Sequence, residues 1–286
     1  MLPIPIQEKL LSKKGIQVLQ SQSLGGGCIH NAQKVQTDKG IFFLKWNEDS
    51  AFSNFEREAK GLQLLASKSQ FLIPSVHHLD KAQGYAFLLL DFIESKAPAL
   101  AYWEDFGEKL ADLHLHTNEA FGLDHDNFIG ALEQSNAFRS SWAEFFIECR
   151  IQPKLKQAVD KGNIVPSLIA TFDKLFTRLE NWFPQEAPAL LHGDLWGGNI
   201  LVNREGFASI FDPAVYYGHR EMELAFMTMF DRQPQSFYEA YQAQRPLESG
   251  WEQRLDLYNL YPLLVHVILF GNSYLGSVKR ILDRFV

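Results

Sequence analysis

The sequence predicts an α+β chain of two lobes, β-rich over residues 1–94 and mainly helical over residues 95–286. Three observations predict it. Short apolar runs separated by glycine turns fill the first lobe, apolar residues recur at helical spacing through most of the second, and the break Ser95-Lys96-Ala97-Pro98 divides the two patterns. A chain of 286 residues with 46% hydrophobic and 13% aromatic content can bury a core in each lobe.

In the first lobe, residues 16–24 read as a strand that runs into Gly25-Gly26-Gly27, and residues 32–37 as its partner. The turn Asp38-Lys39-Gly40 then opens a third strand, Ile41-Phe42-Phe43-Leu44-Lys45. Over residues 53–66, Phe55, Ala59, Leu62 and Leu65 fall on one helical face, with Ser53 placed to cap the start. Strands are expected at 75–80 and 85–91. In the second lobe, helices are expected near 106–117, 142–162, 167–182, 221–230, 235–244 and 251–274, and residues 121–136 read as loop. Two short strands, 200–202 and 207–211, flank the turn Asn203-Arg204-Glu205-Gly206.

Composition excludes several classes. A formal net charge of −7 without clustered Lys and Arg argues against nucleic acid as a partner. The most apolar late run, residues 260–270, is interrupted by Pro262 and His266 and is too short to span a bilayer, so no membrane partner is expected. The N-terminus shows no secretory pattern, and two cysteines make no disulfide framework; the expected setting is cytoplasmic.

The chemistry concentrates in Leu191-His192-Gly193-Asp194-Leu195-Trp196-Gly197-Gly198-Asn199-Ile200, followed by Ile210-Phe211-Asp212-Pro213. Phosphoryl transfer needs a carboxylate to orient the attacking hydroxyl, and an amide oxygen and a second carboxylate to hold magnesium. Kinase catalytic loops deliver those groups at this spacing. Asp194 is therefore the candidate hydroxyl-positioning residue. An ordinary carboxylate is too weak to ionise a sugar hydroxyl beforehand, so it would align the hydroxyl and accept the proton late. Asn199 and Asp212 are the candidate Mg2+ ligands.

Upstream, Gly25, Gly26 and Gly27 form a turn whose backbone can approach phosphate. Lys45 ends an apolar run just after it, where an ammonium is costly unless it reaches an anion. Glu58, on the following helix, is the expected partner of Lys45, with Glu56 as a helix-start acid. Cys28 follows the glycines, where it is either an inert small residue or a thiol whose pKa backbone N–H groups would lower, making it oxidisable. His77-His78 and His114-x-His116 lack the acidic or thiolate partners of a metal site.

Assembled, these residues resemble the fructosamine kinases, or ketosamine-3-kinases, of the aminoglycoside-phosphotransferase-like branch of the protein-kinase fold. The resemblance runs over nearly the whole chain. It is carried by Gly25 to Ile29, Phe43-Leu44-Lys45, Phe55-Glu56-Arg57-Glu58, the block from Asn127-Phe128-Ile129-Gly130 to Arg150, and His192 to Asn199. Asp212-Pro213-Ala214 with Tyr217-Gly218-His219, and the ending from Arg254 to Tyr274, complete it. Asp231-Arg232 stands where the family has a Gly-Gly turn.

The resemblance implies a bilobal protein-kinase-like fold and ATP-dependent phosphorylation of the 3-hydroxyl of a ketosamine, a ribulosamine or fructosamine, free or on protein. The 3-phosphate would then eliminate, a deglycation that repairs the amine. By position, Leu90, Asp91 and Phe92 would be the hinge that reads adenine. Trp196 would offer a flat face to the sugar or its amine, or serve packing, and His266 is a second substrate-side candidate. A monomer, or a dimer linked through Cys28, is expected. The alternatives are another small-molecule kinase of the aminoglycoside or choline type, and a non-catalytic nucleotide-binding protein.

Overall fold

The structure is a computed structural model and describes residues 1–25 and 30–286. The chain packs as two compact units, Met1–Phe106 with Gly197–Pro213, and Gly107–Trp196 with Ala214–Val286. The division is thus not a single cut at residue 94. Backbone hydrogen bonds explain why residues 197–213 rejoin the first unit. The Lys96 amide donates to the Val202 carbonyl at 3.1 Å, Ala99 to Gly206 at 2.9 Å, and Ile210 to Leu72 at 3.3 Å.

In the first unit, helix α1 (Ile4–Lys14) precedes strands β1 (Val18–Ser23), β2 (Asn31–Thr37) and β3 (Gly40–Glu48). Helix α2 (Phe52–Lys68) follows, then β4 (Val76–Ala82) and β5 (Tyr85–Asp91). The strands form one antiparallel sheet in the order β1-β2-β3-β5-β4. Strand alternation sends Val35, Leu44, Phe87 and Leu89 into a core with Leu2, Ile6 and Leu10 from the α1 side. Helix α2 covers the sheet through Phe55, Ala59, Leu62 and Leu65, so residues 86–90 of β5 are buried on both faces. Successive side chains on β3 therefore separate: Leu44 enters the α1 core and Lys45 takes the other face. Ser53 does not cap α2, because a 3-10 turn, Asp49–Ala51, feeds the helix from Phe52 and leaves Ser53 inside the first turn.

Helix α3 (Tyr102–Leu113) runs across the boundary into the second unit. There the stretch expected as loop contains a hairpin, β6 (Asn127–Ile129) with β7 (Leu132–Gln134). Next come α4 (Trp142–Phe145), a π-helical turn at Phe146–Ile151, α5 (Gln152–Asp160), α6 (Ile169–Phe176), α7 (Leu179–Trp182) and β8 (Ala189–Leu191). After β9 (Ile200–Val202) and β10 (Ala208–Ile210), which pair within the first unit, β11 (Tyr216–Gly218) returns to pair with β8. Helices α8 (Arg220–Thr228), α9 (Gln235–Gln244), α10 (Trp251–Phe270) and α11 (Leu275–Phe285) complete the chain.

Around the π-helical turn, the buried Arg150 guanidinium lies 4.0 Å from the Tyr216 ring centre and donates to Asn136 Oδ1 at 2.8 Å. Gln134 ties the hairpin inward by donating to the Ala214 carbonyl at 3.1 Å, and Tyr261 donates to its amide oxygen at 2.7 Å. Among the described residues, no helix is long and apolar enough to cross a membrane.

Candidate functional site

In the first unit, β3 and α2 bring a lysine and two carboxylates together. The Lys45 ammonium stands 2.9 Å from Glu58 Oε1 and 2.8 Å from Asp212 Oδ1. Glu58 reaches it because it shares the sheet-facing side of α2 with Phe55 and Leu62. Glu56 instead meets Lys60 at 3.5 Å on the outer face. Burial opposes charge on both Lys45 and Glu58, but unequally. Two carboxylates face Lys45 and hold its pKa above the ordinary value. Burial, with Asp212 as a second acid, pushes Glu58 up to about 7 against the pull of Lys45. Lys45 is the member held charged.

Asp212 has a left-handed backbone, φ +58°, which a non-glycine residue adopts only under constraint. Its carbonyl accepts from Asn199 Nδ2 at 3.5 Å, and the Phe211 amide donates to the Asn199 carbonyl at 3.1 Å, so Asn199 is tied to the Phe211-Asp212 segment through both its side chain and its backbone. Asp212 and Asn199 offer hard oxygen donors, one charged and one neutral. Among the described residues, no group of three or more His, Cys, Asp or Glu could hold a metal alone. A pair of oxygen ligands fits magnesium, which keeps several waters and is completed by phosphate oxygens.

At the end of β5, Leu90 is buried and the Asp91 amide donates to the Ser75 carbonyl at 3.1 Å. The Asp91 carboxylate accepts from the Ser75 amide at 2.9 Å and lies 2.6 Å from His77 Nε2. Burial works against that carboxylate, but these hydrogen bonds hold it below the ordinary value. The Phe92 ring carries the Lys34 ammonium 4.4 Å from its centre. Gly25 is exposed, with nothing within 4 Å of where a Cβ would stand. Gly26, Gly27 and Cys28 lie outside the described residues.

In the second unit, the chain leaves β8 through His192 and Gly193 to reach the half-buried Asp194. Gly193 has φ +83°, and a Cβ there would meet the Ala214 carbonyl oxygen at 2.1 Å. Below the loop, Glu223 of α8 is buried and accepts from both backbone amides, His192 at 2.7 Å and Gly193 at 2.8 Å. Its carboxylate lies 3.6 Å from His114 Nε2, and His114 Nδ1 lies 2.8 Å from the Tyr241 hydroxyl. Burial opposes the Glu223 charge, but His114 and the loop amides outweigh it and lower the pKa. Tyr241, His114 and Glu223 thus form a buried chain that ends on the backbone before Asp194.

Beside Asp194, aromatic rings line up. Trp196 lies 5.5 Å from Phe230, Phe230 lies 5.4 Å from His266, and His266 lies 5.4 Å from Phe270 and 4.9 Å from Tyr274, between centroids. Phe230 and Phe270 are each 51% exposed, so this row is surface rather than core. His266 Nδ1 lies 2.7 Å from the Pro262 carbonyl, which puts the ring proton on Nδ1 and makes Nε2 an acceptor. Burial lowers the His266 pKa and favours that neutral form.

Sequence reasoning missed Glu223, His114 and Tyr241 as loop supports, and Phe230, Phe270 and Tyr274 as neighbours of Trp196 and His266. For the aromatics a signal existed: His266, Phe270 and Tyr274 recur at a helical spacing of four residues. In Tyr217-Gly218-His219, the glycine and the histidine serve packing. His219 stacks on Trp142 at 4.8 Å, its Nδ1 lies 3.0 Å from the Tyr258 hydroxyl, and a Cβ at Gly218 would meet Tyr216 and Leu191. At Asp231-Arg232, Arg232 pairs with Glu252 of α10.

The chain has relatives among known proteins. A family model described as fructosamine kinase matches residues 6–286. The chain is 36% identical to a chloroplastic protein-ribulosamine 3-kinase of Arabidopsis thaliana, covering 99% of this chain and 87% of that one. It is 34% identical to a probable ketoamine kinase of Escherichia coli K12, covering 92% and 91%. Among solved structures, a protein of Haemophilus somnus 129PT assigned as a fructosamine-3-kinase superposes with a TM-score of 0.89 at 30% identity, covering 99% and 97%. The aminoglycoside phosphotransferase APH(4)-Ia shares the fold at a TM-score of 0.65 and 15% identity, covering 99% of each chain.

Proposed function

The chain belongs to the fructosamine kinase family, and from that premise we propose that it transfers the γ-phosphoryl group of ATP to the 3-hydroxyl of a ketosamine. The observation that carries the proposal is the buried Lys45 held between Glu58 and Asp212, in a chain of this family. Lys45, oriented by Glu58, binds the phosphate chain of the nucleotide, with Gly25, Gly26 and Gly27 as its loop. Leu90, Asp91 and Phe92 supply the backbone that reads adenine. Asn199 and Asp212 hold Mg2+, which supplies charge neutralisation at the phosphates.

Asp194 orients the 3-hydroxyl and takes its proton as the bond to phosphorus forms. Its loop is already fixed by Glu223, so little reorganisation is left to the reaction. Trp196 and His266 take the substrate: the ring faces attract the cationic amine, and His266 Nε2 accepts a hydrogen bond from it or from a sugar hydroxyl. The substrate is a ribulosamine or fructosamine, free or on a protein. Its 3-phosphate leaves by β-elimination, which frees the amine and completes a deglycation. The activity belongs in the cytoplasm, where ATP is supplied.

The test offers the protein with Mg-ATP ribulosyl-lysine, fructosyl-lysine and an aminoglycoside side by side, with Asp194→Ala as the control. Turnover of a ketosamine that Asp194→Ala abolishes is expected. Turnover of the aminoglycoside alone, or equal turnover by the variant, would overturn the proposal.

A further inference from the structure

We infer that His30 is a further nucleotide-contacting residue, a neutral imidazole whose Nε2–H donates to the phosphate chain beside Lys45. The inference rests on the ATP reading above and adds a residue to it. Strands β2 and β3 pair Asn31 with Trp46 and Ala32 with Lys45, which sets His30 opposite Asn47. Residues two apart on a strand share a face, so Asn47 and Lys45 point the same way, and His30 joins them there.

The hydrogen bonds fix its tautomer. The Glu48 amide donates to Asn47 Oδ1 at 2.9 Å, which turns Asn47 Nδ2 toward His30 Nδ1 at 3.1 Å. An amide nitrogen only donates, so Nδ1 accepts and the ring proton sits on Nε2. The ring is held in place by Phe55 of α2, 4.7 Å between centroids and three residues before Glu58.

Electrostatics keep that donor neutral. Burial lowers the His30 pKa, Lys45 lowers it further, and Asp212 works the other way, so Lys45 and Asp212 both lie within electrostatic reach of the ring. A second cation beside Lys45 would be repelled; a neutral N–H is not. A phosphate oxygen held by Lys45 would supply an acceptor for Nε2 on the same face of the sheet.

The test uses His30→Phe, which keeps a ring against Phe55 and removes the donor, and His30→Gln, which restores an N–H. Calorimetric Kd values are measured for ATP and for adenosine, with steady-state KM for ATP and for the ketosamine. We expect His30→Phe to weaken ATP binding about tenfold, the scale of one hydrogen bond to a charged acceptor. Adenosine binding and the ketosamine KM should hold, and His30→Gln should recover part of the loss. Unchanged ATP binding by His30→Phe, or equal losses for ATP and adenosine, would overturn the assignment while leaving the kinase reading intact. Failure of the unmodified protein to bind ATP would overturn both.

Discussion

Substituting Glu223→Gln should slow phosphoryl transfer while leaving nucleotide binding unchanged. Both carboxylate oxygens accept backbone amides, at 2.7 Å from His192 and 2.8 Å from Gly193, and the side chain is buried. A glutamine keeps one acceptor and sets its NH2 against the other amide. Losing one charge-assisted bond costs about 1.5–3 kcal/mol, and stranding a buried amide adds about 1–3 kcal/mol. Relief of the buried charge returns part of this, leaving about 3 kcal/mol to be divided between stability and loop position. If half falls on the loop, kcat drops about tenfold. The assay pairs kcat and KM for ATP with urea unfolding. A lower kcat, a lower unfolding midpoint and an unchanged KM for ATP are expected. A lower midpoint with the original kcat would show that Glu223 only stabilises the fold and would refute its positioning role.

Three further outcomes follow from the same geometry. Gly193→Ala should cost at least about 2 kcal/mol of stability, since it adds a Cβ 2.1 Å from the Ala214 carbonyl at a positive φ; a wild-type urea midpoint would contradict this. Glu58, at about 7 against an ordinary 4.5, holds a proton in the folded chain that the unfolded chain has already lost between those values. Its contribution to stability is therefore full below pH about 4.5 and falls as pH rises through about 7, by on the order of 3 kcal/mol. Glu58→Gln should flatten that part of the stability profile between pH 5 and 8, and an identical slope in both proteins would count against it. Trp196→Ala should raise the KM for the ketosamine about tenfold and leave the KM for ATP alone. Equal changes in both would assign Trp196 to packing.

The local chemistry was legible in the sequence wherever a residue type is costly without a partner. Lys45 at the end of an apolar strand needs an anion, and its structure supplies two, Glu58 and Asp212. The five strands of the sheet were legible from alternation and glycine turns, as were most of the helices. Helix α1 was not, because only Ile6 and Leu10 of its residues are buried, too few to make a period. Helix α11 has Val278, Ile281, Leu282 and Phe285 at regular helical spacing and was readable, though unread. The β6–β7 hairpin is held by Asn127, Gln134 and Asn136, polar residues that read as loop until their buried hydrogen bonds are seen. Glu223 was hidden for a related reason. An acid inside an apolar helix has no sequence pattern that names its partners, and they prove to be backbone amides thirty and thirty-one residues earlier.

Phosphorus–proton correlation NMR of the reaction with ribulosyl-lysine or fructosyl-lysine and Mg-ATP tests the proposed activity most directly. Phosphorus coupled to the proton on C3 of the ketosamine should appear first. Inorganic phosphate and free lysine should follow as that signal decays, and none of these should form with Asp194→Ala. Phosphorus coupled to any other sugar position, or ATP consumed only to inorganic phosphate with the ketosamine intact, would contradict a ketosamine 3-kinase.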